Sequence, residues 1–235
     1  IGSGGYGGAI YARDTDYRVE RSYFSGNVAL MEGGALRNRR SSAEILDSEF
    51  FSNTANGDGG GAVSASESET TWLCSTTLAN NRGRIRGGGL KVDMGGELKL
   101  TECTLENNEA WDTLDPDHTY GGGVYLSQSF LSASNNVWEG NVSGYAGAIY
   151  RLHSQQSWDP AQTPSLVTGD EFRFNQTTYV GGTAIYAAGD VPFDMVDSIF
   201  ENNSSLGYGD TVSFSNNANG TMTGCSFFNN GSNSE

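Results

Sequence analysis

The sequence predicts an all-β fold, a single-stranded parallel β-helix, or solenoid, of about eight coils, and three observations lead to it. The first is a large apolar residue followed three positions later by Asn. Phe24, Phe50, Leu78, Leu105, Trp138, Phe172, Phe200 and Phe227 precede Asn27, Asn53, Asn81, Asn108, Asn141, Asn175, Asn203 and Asn230, with Asn-to-Asn steps of 26, 28, 27, 33, 34, 28 and 27. A fixed period of this size marks a repeat architecture. The second is a small-residue turn opening into an aliphatic residue, at Ile10, Leu36, Val63, Leu90, Val124, Ile149, Ile185 and Val212, in the same phase. The third is the texture between the markers: short alternating stretches such as AIYA and GVYLS, bounded by Gly, Asn, Asp and Ser, with no helix-period segment.

Each part of the cycle has a physical role. A unit of about 27 residues with two or three short strands cannot bury an apolar side alone, so it stacks on its neighbours. Coils spaced by about 4.8 Å would give eight of them a rod of roughly 40 Å. Glycine in the turn permits positive φ and close approach of successive coils. The apolar column points inward as a long, thin core, and the Asn column sits at a corner, where amides hydrogen-bond along the axis. Aliphatic marker and Asn lie 17 or 18 residues apart, except from Ile149 to Asn175, where the gap is 26. Two insertions therefore interrupt the rod: Trp111–Tyr120 and His153–Pro164, each expected to project as a loop. Repeat proteins place function in such loops.

Residues 1–235 read as one elongated domain with no internal linker. The chain opens inside a repeat and closes soon after an Asn marker, which suggests a section of a longer protein. Its net charge of −15 would repel a phosphate backbone, so nucleic acid is not an expected partner. No apolar run is long enough for direct membrane insertion of this segment. Cys74, Cys103 and Cys225 are too few for a disulfide scaffold. Counted from the apolar column all three have inward parity, which reads as small buried thiols. Six Asn-x-Ser/Thr sequons, at Asn141, Asn175, Asn202, Asn203, Asn219 and Asn230, are acceptors for N-glycosylation if the source is eukaryotic and secreted.

GGAI at Gly7–Ile10, GGAL at Gly33–Leu36 and GGAV at Gly60–Val63, alternating with FSGN at Phe24–Asn27, FENN at Phe200–Asn203 and FFNN at Phe227–Asn230, resemble the paired signature of the polymorphic outer membrane protein family best known from chlamydiae. The resemblance runs across nearly the whole chain. Leu78, Leu105 and Trp138 depart from it by replacing Phe, and two turns replace Ala by Gly. It implies a right-handed β-helical passenger, of the kind autotransporters carry, exposed on a cell surface with adhesion as its usual role. The membrane-anchoring barrel of such passengers is not in this sequence.

GSGGYG at Gly2–Gly7 fits a dinucleotide fingerprint only in letters, because a strand rather than a helix follows it; no cofactor is expected. The first insertion carries Asp112, Asp115, Asp117 and His118 beside Glu106 and Glu109, either oxygen ligands for Ca²⁺ or a solvated acidic loop; the spacing matches no EF-hand and favours the loop. Glycoside hydrolysis needs two carboxylates across a bond, for which Asp14 with Asp16 and Asp93 with Glu97 are candidates. Lyase chemistry would draw on Arg37, Arg39, Arg40 and Lys91. These groups are scattered singly, which reads as surface charge.

The column just after each aliphatic marker is Tyr11, Arg37, Ser64, Lys91, Tyr125, Tyr150, Tyr186 and Ser213. Alternation points it outward, where Tyr11, Tyr125, Tyr150 and Tyr186 could grip a glycan or protein, with Trp111 and Trp158 of the insertions as further candidates. Tyrosine is also simply a good strand residue. Three functions compete: an adhesin-like extracellular or cell-surface module without catalysis, a polysaccharide-active lyase or hydrolase, and a filament block stacking on copies of itself through coil ends. No column of Thr marks an ice-binding face.

Overall fold

The computed structural model describes residues 5–153, 165–189 and 192–232. They form a parallel β-solenoid of eight turns, and each turn contributes one strand to each of four eight-stranded parallel sheets. In the first turn the strands are Ile10–Arg13, Tyr17–Glu20, Tyr23–Ser25 and Val28–Ala29, belonging to sheets A, B, C and D in that order. No helix among the described residues is long and apolar enough to cross a membrane.

Both sequence markers are register partners. Ile10, Leu36, Val63, Leu90, Val124, Ile149, Ile185 and Val212 pair in series along sheet A. The apolar column from Phe24 to Phe227 does the same along sheet C. Its rings stack nearly parallel: Phe172 lies 4.8 Å from Phe200 with 5° between planes, and Trp138 lies 5.5 Å from Phe172. Leucine, valine and isoleucine of sheets A and B complete the core, closed to solvent from Phe50 to Phe200.

The Asn column forms an uninterrupted ladder. Asn53 is typical: its Nδ2 donates to Asn81 Oδ1 at 3.0 Å and to the Phe24 carbonyl at 3.0 Å, while its backbone N–H donates to the same Asn81 oxygen at 3.0 Å. The amide thus engages both donor hydrogens and accepts twice, which is what lets it stay fully buried from Asn53 to Asn203 without penalty.

The fourth strand of each turn was not anticipated. It follows the Asn, is only two or three residues long, and in Thr54–Ala55 or Ser204–Ser205 shows no hydrophobic alternation to read. Sheet hydrogen bonds from the neighbouring coils define it instead.

Single left-handed residues make the corners and reset side-chain parity, which corrects the cysteine reading. Ser75, at φ 47°, separates the strand Thr70–Cys74 from Thr77–Ala79, so Leu73 and Leu78 both face the core although five residues apart. Cys74 therefore faces outward and is half-buried. Cys103 is buried at the same corner one coil on, where desolvation pushes its thiol up to about 12; Cys225 is half-buried, and all three are free.

The first insertion is exposed from Thr113 to Pro116 and tied down at both ends. Trp111 is a strand residue paired with Arg84, and Tyr120 bridges Arg86 on one side and Tyr145 on the other. Between them Pro116–His118 form one 3₁₀ turn, and buried Thr119 accepts the Gly144 N–H through Oγ1 at 2.7 Å. Residues 154–164 of the second insertion, with Trp158, lie outside the described residues.

Sequons also divide. Asn141, Asn175 and Asn203 are fully buried ladder members whose Nδ2 atoms are engaged, so the accessibility expected of turn sequons does not hold there. Asn230 is a half-buried ladder member, Asn202 is half-buried at a left-handed corner, and Asn219 is exposed.

Candidate functional site: the outer face of sheet A

The residue after each aliphatic marker does leave the core, as alternation requires, but it does not meet open solvent. Arg37, Ser64, Lys91 and Tyr125 are 6, 0, 1 and 5% exposed, and only Tyr11, at 44%, is open. The cover comes from the segment ahead of the glycine turn. Gly87 and Gly121 hold φ of +63° and +66°, and a Cβ on either would come within 2.1 Å of the Leu90 or Val124 carbonyl oxygen. Glycine closes so tightly without strain, and Ala146 holds the equivalent position ahead of Ile149 at φ 59°. The closure folds the residue four before the aliphatic marker back over the strand: Glu32, Arg86, Tyr120 and Tyr145 lie along one line, with Glu32 bridging Gly59 and Tyr120 bridging Arg86 and Tyr145.

In the first half of the rod the two lines interlock by charge. Lys91 Nζ lies 3.0 Å from Glu32, 2.9 Å from Asp58 and 3.1 Å from Asp93. Arg37 pairs with Glu32 at 3.0 Å, and Arg86 with Asp58 at 2.9 Å. Burial works to depress the Lys91 pKa, but the carboxylates of Asp93, Glu32 and Asp58 outweigh it and hold the ammonium above its ordinary value. Three cations balance three carboxylates here. A buried cluster of this kind tolerates loss of a member poorly, because a charge is stranded.

In the second half the same two lines are aromatic. Tyr125 stacks on Tyr150 at 5.5 Å and 6°, and Tyr150 on Tyr186 at 5.1 Å and 8°. Tyr120 leans over the ladder 4.9 Å from Tyr150 and stacks on Tyr145 at 5.2 Å. Tyr145 meets Tyr186 and Tyr179 edge-on, and His118 lies 5.9 Å from Tyr179. Arg86, over the Tyr125 ring at 5.4 Å, joins the two halves. Burial pushes the Tyr150 phenol well above the usual range, helped by Tyr186 and Tyr125, and burial also raises Tyr120 and Tyr145. All three remain neutral hydroxyls able to donate and accept.

The structure thus brings Tyr125, Tyr150 and Tyr186 together and leaves Tyr11 apart, stacked on Tyr6 at 6.1 Å at the other end of the face. Trp111 lies under the Arg82 guanidinium at 4.8 Å, on sheet D rather than in the cluster. Tyr120, Tyr145, Tyr179 and Tyr208 are functional candidates that sequence reasoning missed, while His118, read there as part of an acidic loop, packs against Tyr145 and Tyr179. Tyr120, Tyr145 and Tyr208 share the spacing of four before an aliphatic marker, a signal present in the sequence.

The candidate catalytic and metal residues go to structural partners. Asp14 makes a two-point pair with Arg40 at 2.5 and 2.9 Å, which lowers its carboxyl pKa. Asp16 accepts the Ser42 N–H at 2.7 Å, Asp93 pairs with Lys91, Glu97 with Lys99 and Arg39 with Glu67. In the first insertion Asp112 turns to Arg84 and Asp115 to His118, and the described residues hold no cluster of three or more His, Cys, Asp or Glu suited to a metal ion. Comparison with known proteins returned no match to a family model, a curated protein or a solved structure.

Proposed function

We propose that the chain is a non-catalytic recognition module of an extracellular or cell-surface protein, an adhesin-like rod that binds a protein or glycan along the tyrosine half of sheet A. The observation that carries this reading is the Tyr120–Tyr125–Tyr145–Tyr150–Tyr179–Tyr186 cluster. It concentrates rigid aromatic rings with hydroxyl edges, Tyr179 exposed and Tyr120, Tyr145, Tyr150 and Tyr186 half-buried over buried Tyr125, and such residues dominate recognition surfaces. The pairing of the outer-face carboxylates with cations supports a role without hydrolysis, and the repeat signature of a surface-exposed family supports the location. A strongly acidic chain favours partners other than nucleic acid.

Two measurements on the native chain test it together. Incubation with acidic and neutral polysaccharides is expected to release no product, and binding to immobilised fibronectin, collagen or mucin is expected to saturate. Turnover that disappears when a single carboxylate is replaced would overturn the reading in favour of a polysaccharide-active enzyme.

A further inference from the structure

The first insertion stands beside the tyrosine rings. Buried Thr119 accepts the Gly144 N–H and Tyr120 bridges Tyr145, which brings His118 to 6.3 Å from the Tyr145 ring and 5.9 Å from that of Tyr179. Two carboxylates thereby come to the margin of the aromatic face. Burial, then the neighbouring phenols and Asp117, raise the Tyr145 hydroxyl; burial, opposed by Arg86 and joined by Tyr125 and Asp115, raises that of Tyr120. Asp115 engages His118 at 2.7 Å, and Asp117 has no ion-pair partner among the described residues. The cations of sheet A face other carboxylates: Arg86 holds Asp58, Arg37 holds Glu32, and Lys91 holds three at once. Toward the tip of the insertion Leu114 is 84% exposed, and Tyr179 is exposed beside His118. Tyr120 and Tyr145 lead into the fifth and sixth of the eight strands of sheet A, so coils flank this surface on both sides.

We propose that this face docks a basic segment of a partner protein, an arginine guanidinium lying on the Tyr179 ring with Asp115 and Asp117 as its counter-charges. The inference rests on the recognition reading above and names its partner. A guanidinium is attracted to the electron-rich face of an aromatic ring, and its planar donor fork matches a carboxylate. The net charge of −15 draws a basic segment in from a distance, and the two aspartates fix where it lands. Leu114 supplies an apolar contact for a residue flanking the arginine. A neutral glycan would use the rings and leave Asp117 uncompensated; an acidic one would be repelled.

The test is fluorescence anisotropy of the full chain with labelled peptides of one length, rich in Arg, in Lys, in Ser or in Glu. The Arg-rich peptide should bind about tenfold more tightly than the Ser-rich and Glu-rich ones, and more tightly than the Lys-rich one. Tyr179→Ala should weaken it about tenfold and Asp117→Asn about fivefold, and Asp115→Lys with Asp117→Lys should transfer the preference to the Glu-rich peptide. Asp47→Asn with Glu49→Gln removes two exposed carboxylates at a sheet C strand and should change nothing. That control separates docking at the tyrosines from attraction to an acidic chain at large. Circular dichroism on each variant identifies any that unfold. A Lys-rich or Ser-rich peptide that binds as tightly as the Arg-rich one, indifference to Tyr179→Ala or to the double lysine variant, or an equal loss in the sheet C control would overturn the proposal. If no peptide binds but the fibronectin, collagen and mucin panel does, with loss on Tyr179→Ala, the basic segment falls and the recognition reading stands; if neither binds, both fall.

Discussion

Asn108 and Asn141, one coil apart, are joined twice through a single oxygen: Oδ1 of Asn141 accepts the Asn108 Nδ2 at 3.0 Å and the Asn108 backbone N–H at 3.1 Å. Asn108 Nδ2 also reaches back to the Leu78 carbonyl at 2.9 Å. Removing the amide strands buried groups in the coils on either side. Asn108→Ala should therefore cost about 3 kcal/mol or more, against roughly 1 kcal/mol for half-buried Asn230→Ala, as measured by urea unfolding. Equal costs would show that the ladder is not cooperative with burial.

Asp170 carries a pH dependence of unusual sign. It is fully buried, accepts from Asn136 and from Trp138 Nε1 at 2.8 Å, and burial raises its pKa to about 6 against those bonds. The folded state then holds a proton that the unfolded chain, titrating near 3.9, has released. Its stabilising protonation is present below about pH 4 and is lost as pH rises through 6. Unfolding free energy should fall by about 3 kcal/mol across that window relative to Asp170→Asn. Denaturant titrations at several pH values check this; parallel profiles for the two proteins would refute it.

Phe174 sits at φ 54°, 54% exposed, at a corner where the neighbouring coils place Gly140 and Asn202. A bulky side chain in the left-handed region is strained and here gains little burial. Phe174→Asn should stabilise the rod by about 0.5–1 kcal/mol in thermal unfolding. Destabilisation would mean that the ring packs on a partner surface within the protein.

Expression in a glycosylating secretory host should modify exposed Asn219 and leave Asn141, Asn175 and Asn203 bare, because modification of the ladder amides requires their burial to be undone. Glycopeptide mass spectrometry reads this directly. Occupancy at Asn175 would imply modification before the coil closes.

Repeat phase made the solenoid legible from sequence, because Phe24, Asn27 and Ile10 recur at positions that stacking forces to coincide. What stayed hidden was local. Ser48, Thr76, Cys103, Asn136 and Asp170 form a second buried corner column, but its members share only small size or an acceptor atom, so no single letter repeats. The site was half visible: Tyr125, Tyr150 and Tyr186 follow an obvious marker. Tyr120 and Tyr145 are brought over them by left-handed turns at Gly121 and Ala146 whose folding-back direction is not encoded in spacing. The Lys91 cluster was missed for the same reason, since Glu32 and Asp58 reach it from coils 59 and 33 residues earlier.

The central claim is that recognition belongs to the tyrosine half of sheet A, and a paired surface comparison tests it most directly. Binding to the fibronectin, collagen and mucin panel is measured for the native chain, for Tyr179→Ala with Tyr208→Ala, and for Tyr23→Ala with Phe51→Ala. Both pairs are exposed, at 42 and 72% and at 63 and 41%, so neither removes core. The account predicts at least a tenfold loss for the first pair and native affinity for the second. Retained binding in the first pair, loss confined to the second, or no binding by the native chain would contradict it.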